Sequence, residues 1–246
     1  MLPWQKGKII SNKQVAPTTR SFFIEVPEVD SFDFEPGQFI TLDLPIHEQK
    51  NRRWRSYSIA SYPNKTNIIE LVIVYLDGGA GSNFLFNETK VGDELTFRGP
   101  LGKFVLPTHL NKDLFLICTG TGIAPFRSMI HFIKENNIHY KNIYLIFGSR
   151  TFDYCLYKDE LIALQENMKN FFYIPCFSRE NDIPAWAKKG YVHEAYSEII
   201  ASKKINETLS PAYFYLCGWK NMIDDARNKI MELGYEKTDI HYELYG

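Results

Sequence analysis

The chain has 246 residues, 45% hydrophobic and 23% charged, which is enough material for two packed cores of ordinary globular composition. Its 28 Lys+Arg stand against 29 Asp+Glu, which excludes the basic excess of a general nucleic-acid binder. No run approaches the ~18 apolar residues that a membrane span needs.

In chain order, roughly the first hundred residues read as strands and turns. Residues 22–26, 38–44 and 68–75 are short and rich in β-branched and aromatic side chains. Glu35-Pro36-Gly37, Tyr62-Pro63-Asn64 and Val91-Gly92-Asp93 punctuate them as turns. Strands at such spacing predict an antiparallel barrel, with one helix over residues 82–87. From Leu114 the pattern changes. Residues 114–118 and 143–147 are continuous apolar runs, as strands covered on both faces require, and residues 171–174 and 213–217 repeat them. Helical patterns occupy residues 125–136, 158–167 and 221–233. Alternating strand and helix predicts a parallel sheet with crossover helices, a Rossmann-like α/β domain. Pro107 and His109-Leu110-Asn111 break the pattern. The expected division is therefore a β-barrel domain over residues 1–108 and an α/β domain over residues 109–246.

The strand at 114–118 runs into Thr119-Gly120-Thr121-Gly122-Ile123-Ala124-Pro125. Glycines at the end of a parallel strand let the backbone approach a pyrophosphate, and the helix that follows offers amide donors and a positive dipole end. A tight strand–helix turn would use the same glycines. Pro125 stands where the Rossmann fingerprint has its third glycine, and proline suits a first helical turn. The next strand ends Gly148-Ser149-Arg150, without the acidic residue that grips a ribose, so an ordinary NAD site is not expected.

Cys118, Cys155, Cys176 and Cys217 stand too far apart for the close C-x-x-C spacings of zinc or iron–sulfur ligation, so no metal is expected. They read as reduced thiols, and Met1 to Lys8 carries no signal-peptide pattern. The expectation is a cytoplasmic monomer without nucleic-acid or membrane partners.

Six segments then follow one another in a recognisable order. They are Arg55-Ser56-Tyr57-Ser58, Gly81-Ser82-Asn83-Phe84-Leu85, Gly99-Pro100-Leu101-Gly102-Lys103, residues 120–128, Tyr215-Leu216-Cys217-Gly218 and Glu243-Leu244-Tyr245. Over nearly its whole length the chain resembles the ferredoxin–NADP reductase family. The resemblance implies FAD in the first domain and NADP, or NAD, in the second. Arg55 would offer a bidentate fork to the FAD pyrophosphate. Gly81 and Ser82, the latter read as a helix N-cap, would bring free amides to the same group. Tyr57 and Tyr245 would stack on opposite faces of the flavin ring, and Ser58, read as sharing a strand face with Tyr57, would hydrogen-bond near N5.

By the same resemblance Cys217 would lie beside the nicotinamide C4, and Glu243 would tune charge or proton movement near both rings. Ser58, Cys217 and Glu243 are thus the implied catalytic set. Thr121, Gly122 and Pro125 would hold the nucleotide pyrophosphate. Ser178, Arg179 and Lys189 would hold a 2′-phosphate, and Tyr191 would stack on adenine. The stretch from Trp186 to Val192 also resembles reductases of oxygenases that use NADH.

The expected activity is hydride transfer between NADPH and FAD, with single electrons passed to a separate ferredoxin or flavodoxin. Arg52, Arg53, Lys65, Lys90, Arg98 and Lys103 are the basic residues that would steer such an acidic carrier. One alternative is an NADH-dependent reductase component of an oxygenase or P450 system. Another is a non-catalytic flavin- and nucleotide-binding redox sensor.

Overall fold

The structure is a computed structural model that describes residues 2–204 and 208–245. Its contacts group Met1–Leu106 with Ala124–Glu135 as one unit, and Pro107–Ile123 with Asn136–Gly246 as a second.

The first unit holds β1 (Gln5–Ala16), β2 (Thr19–Glu25), β3 (Phe39–Asp43), β4 (Trp54–Ser58), α1 (Ala80–Asn87), β5 (Ile68–Val74) and β6 (Glu94–Leu101). The strands form an antiparallel sheet in the order β4-β3-β6-β1-β2-β5. Its two edges meet through an antiparallel bridge from Ile59 to Leu71, and the Ala60 amide donates to the Glu70 carbonyl at 2.8 Å. That closure makes the expected barrel. Phe22, Ile24, Ile40, Leu42, Ile69 and Phe97 fill its interior. β1 is absent from the sequence reading because its residues, QKGKIISNKQVA, contain no apolar run and bury only Gly7, Ile9 and Ala16.

Helix α2 (Ile123–Glu135) packs with this unit from Ala124 onward. Arg127 Nη1 donates to Glu70 Oε2 at 2.8 Å and to the Ala60 carbonyl at 2.9 Å. The second Glu70 oxygen accepts from Ser21 Oγ at 2.5 Å. The Glu70 side chain is only 4% exposed, so both its oxygens need these partners.

The second unit is a six-stranded sheet, parallel throughout. Its strands are β7 (Leu110–Thr119), β8 (Tyr140–Ser149), β9 (Phe171–Phe177), β10 (Lys188–Lys189), β11 (Ala212–Trp219) and β12 (Ile240–Tyr245). They run in the order β10-β9-β8-β7-β11-β12. The direction of winding therefore reverses between β7 and β11, which creates a crevice at their carboxyl ends. Helices α3 (Lys158–Asn167), α4 (Val192–Ser202) and α5 (Lys220–Glu232) complete the unit. Tyr196 and Ile200 of α4 and Ile223 and Ile230 of α5 bury Phe115, Ile117, Phe214 and Leu216 on one sheet face. β12 eludes the sequence reading because it is a half-exposed edge strand, in which Tyr242 and Leu244 face outward.

At the opposite, amino end of β7 lies Asp113, 1% exposed in its side chain. Lys203 Nζ reaches it at 2.5 Å and Asn142 Nδ2 at 2.7 Å, with Lys141 Nζ at 3.4 Å. Burial raises the carboxyl pKa, but the Lys203 and Asn142 hydrogen bonds and the two lysine charges outweigh it and hold the carboxyl below its ordinary value. A depressed folded-state pKa stabilises above the unfolded value of about 3.9 and is lost as pH falls through the folded one. Asp113→Asn is expected to lower stability at neutral pH by about 2–4 kcal/mol. In urea melts the gap from wild type should shrink below about pH 4.

Candidate functional site

In the first unit, β3 pairs with β4 so that Ile40 faces Tyr57 and Leu42 faces Arg55. Arg55 and Tyr57, two residues apart, share a face. Ser58 follows Tyr57 directly and points to the other side, since side chains alternate along a strand. The expected common face of Tyr57 and Ser58 is thereby corrected: Ser58 is 4% exposed, and Tyr57 is half-buried. Burial pushes the Tyr57 phenol up to about 12, against the opposing Arg55 charge, so it stays protonated near neutrality.

The Arg55 side chain lies across the first turn of α1. A Cβ on Gly81 would fall 2.9 Å from Arg55 Cγ and 3.1 Å from its Nε, so a side chain there would push the Arg55 stem aside. Arg55 Nη1 is held by the Arg52 and Trp54 carbonyls at 3.0 and 2.8 Å. No side chain caps α1, whose N-cap residue is Gly79. Ser82 is therefore not the N-cap that the sequence suggested, but lies inside the first turn. Its hydroxyl accepts from the Leu76 amide at 3.0 Å and approaches the Gly79 carbonyl at 3.1 Å, which ties the preceding loop to the helix. Uncapped amides beside a guanidinium form a cradle suited to an anionic diphosphate.

In the second unit, Gly120–Gly122 makes a 3₁₀ turn between β7 and α2. A Cβ on Gly122 would lie 2.3 Å from the Cys217 carbonyl oxygen, so the loop closes directly over the end of β11. Thr121 is partly exposed there; Pro125, grouped with the first unit, is buried in the first turn of α2. Parallel register sets Cys217 beside Cys118 on one flank and Glu243 on the other. Trp219 faces Tyr245 two residues further along. Burial, then the Glu243 carboxylate, pushes the Cys217 thiol well above its ordinary range, although a hydrogen bond to Tyr245 opposes them.

The other side of the crevice is basic. Ser178 and Arg179 follow the end of β9, and their amides donate to the carbonyls of Ser149 (3.1 Å) and Arg150 (2.9 Å). Lys189 lies on β10 opposite Phe177, with Tyr191 two residues on and 66% exposed. Arg150 thus joins Arg179 and Lys189 at one edge, and all three are exposed. The sequence reading used Arg150 only to note a missing carboxylate. Its proximity to Arg179 depends on the strand-end hydrogen bonds, which have no sequence signal.

The steering residues divide. Arg53 pairs with Asp43 at 2.7 Å, and the Arg98 guanidinium lies 4.5 Å from the Trp54 ring centre and 5.0 Å from that of Trp4. Arg52, Lys65 and Lys90 are exposed, as is Lys103. No helix among the described residues is long and apolar enough to cross a membrane.

Residues 6–106 match the family described as oxidoreductase FAD-binding domain, and residues 116–228 match the oxidoreductase NAD-binding domain. The toluate 1,2-dioxygenase electron transfer component of Pseudomonas putida is 32% identical over 96% of this chain, which spans 66% of that relative's length. Ferredoxin–NADP reductase B of Sorangium cellulosum is 29% identical, with 98% of this chain and 97% of the relative covered. The crystal structure of a ferredoxin NADP+ reductase from Neisseria gonorrhoeae with bound FAD and NADP superposes with a TM-score of 0.81 at 25% identity, covering 98% of each chain. With both domains present in order, on the expected barrel and parallel sheet, the chain belongs to the ferredoxin–NADP reductase family of oxidoreductases that use FAD and a nicotinamide dinucleotide.

Proposed function

We propose that this protein is a flavoprotein reductase that transfers a hydride between NADPH and FAD and hands electrons to a separate carrier, a ferredoxin or flavodoxin. FAD, when bound, supplies the means to take electrons as a pair and release them singly. The observation that carries the reading is the pair of anion cradles, Arg55 over α1 in one unit and Gly120–Gly122 against β11 in the other. Residues 1–108 and 109–246 serve as the FAD-binding and nucleotide-binding domains.

The residue assignments follow the cradles. Arg55, Gly81 and Ser82 bind and orient the FAD diphosphate and Tyr57 and Tyr245 stack on its ring, whereas Ser58, buried on the other side of its strand from Tyr57, receives no contact to N5 in this reading. Thr121, Gly122 and Pro125 shape the nucleotide pyrophosphate site. Cys217 presents a neutral thiol to the nicotinamide, and Glu243 supplies the adjacent negative charge. Ser178, Arg179 and Lys189 favour the 2′-phosphate of NADPH, now with Arg150 beside them. A cytoplasmic monomer fits this reading, because four free thiols suit a reducing compartment.

A second reading has specific support. Several relatives are named as electron transfer or reductase components of dioxygenases and monooxygenases, such as the phenol 2-monooxygenase reductase component of a Pseudomonas strain, 30% identical. The protein would then serve an oxygenase and draw on NADH.

Anaerobic mixing of the FAD-loaded protein with each nucleotide tests both readings. Rapid bleaching of flavin absorbance by NADPH and slow bleaching by NADH are expected. The reverse order would favour the oxygenase reading, and no bleaching with either would sink both. Arg179→Ala should raise KM for NADPH roughly 10- to 100-fold, as loss of a charged hydrogen bond does, and leave KM for NADH little changed. Equal effects would remove the 2′-phosphate assignment. Arg55→Ala should weaken FAD retention by a similar factor in equilibrium dialysis, with the barrel still folded by circular dichroism.

A further inference from the structure

Within the second unit, a cavity of about 520 Å³ lies beyond the carboxyl ends of β8 and β9. Phe152, Tyr157 and Trp186 form its aromatic wall, Lys158, Asp159 and Glu160 its polar side, and the half-buried Cys155 completes the lining. The aromatic wall is built rather than incidental. The Phe152 ring meets buried Phe177 edge-on at 4.6 Å, and Trp186 lies 6.0 Å from each of them, perpendicular to Phe177. Trp186 nevertheless keeps 40% of its surface exposed.

Its position relative to the charges matters. Phe152 is two residues from Arg150, and its amide donates to Glu180 Oε1 at 2.7 Å, next in sequence to Arg179. The Arg179 amide bonds the Arg150 carbonyl at 2.9 Å. The aromatic wall is therefore joined directly to the arginine pair. On the other side, β9 lies three strands from β11, roughly 14 Å of sheet, with the Gly120–Gly122 loop between them.

We propose that this cavity is the seat of the adenine ring of the nicotinamide dinucleotide, stacked on Trp186 and Phe152 in place of Tyr191. The inference rests on the reductase reading for the identity of the ligand. A purine suits the lining because its face stacks on aromatic rings, and its exocyclic amine can donate to the Glu160 carboxylate on the polar side. Tyr191 is a poorer platform: it is 66% exposed at the N-cap of α4, where no ring packs behind it among the described residues.

The test uses 2′-phosphoadenosine 5′-monophosphate, which carries the adenine and both phosphates but no nicotinamide, titrated calorimetrically into FAD-loaded protein. Trp186→Ala should weaken binding about 5- to 100-fold, the range for loss of one base stack, while Tyr191→Ala stays within about twofold of wild type. Nicotinamide mononucleotide should bind all three proteins alike. A loss in Tyr191→Ala without one in Trp186→Ala, or no change in either, overturns the seat. Trp186→Phe covers the case in which the alanine variant fails to fold. It should keep most of the affinity but lose the ligand-induced quench of tryptophan fluorescence, and a quench that persists overturns the proposal. Failure of the reductase reading shows separately, as wild-type flavin that neither NADPH nor NADH bleaches, whatever the adenylate titration gives.

Discussion

The second unit depends on how closely Gly122 can lie against the end of β11. With the Cys217 carbonyl 2.3 Å from where a Cβ would stand, any other residue would force the loop outward. The loop would then leave the crevice that the reversal of strand order creates between β7 and β11. The Gly120–Gly122 turn, Cys217 and the flanking Glu243 would no longer share one edge. A single hydrogen atom in place of a side chain therefore decides how closely this loop can approach the end of β11. On the barrel, Gly81 meets only the movable Arg55 side chain, which its bare backbone lets lie close to α1.

Buried charge fixes the frame that makes such tight approaches possible. Glu70 is held from two sides, by Ser21 from β2 and Arg127 from α2, and Arg127 also takes the Ala60 carbonyl at the barrel closure. Removing either partner would strand a charge in a dry interior, so the pair specifies geometry more than it adds net stability. Asp113 does the equivalent at the foot of β7, where it gathers Lys203, Lys141 and Asn142. Asp113 sits at the amino end of β7, whose carboxyl end runs into the Gly120–Gly122 turn.

What the sequence revealed follows from the kind of signal each element carries. Strands β7, β8 and β11 are buried on both faces and wrote themselves as apolar runs, so their order and the α/β class were legible. β1 and β12 are half-solvated, with mixed composition, and left no such mark. Glycine-rich segments were legible as motifs, because a close approach demands glycine whatever its neighbours. Side-chain roles within them were less so. Ser82 reads as an N-cap in the sequence, but the helix starts two residues earlier and its hydroxyl serves the preceding loop. The nearness of Arg150 to Arg179 is created by hydrogen bonds between strand ends and could not be read from spacing.

The charge state of Cys217 limits what the nucleotide crevice can do. Its register neighbours are another buried thiol and a carboxylate, and both oppose ionisation. The thiol therefore stays neutral across the physiological range, which argues against nucleophilic or metal-binding chemistry at this position. In the proposed reading, the group beside the nicotinamide ring is therefore a small, neutral, polarizable one. Glu243, half-exposed on the edge strand, is the one carboxylate in this pair of strands and sets a negative charge beside the thiol. Placing the carboxylate on β12 rather than at the end of β11 keeps it one strand spacing, about 4.8 Å, from the backbone of Cys217. That is near enough to act electrostatically without entering the covalent chemistry.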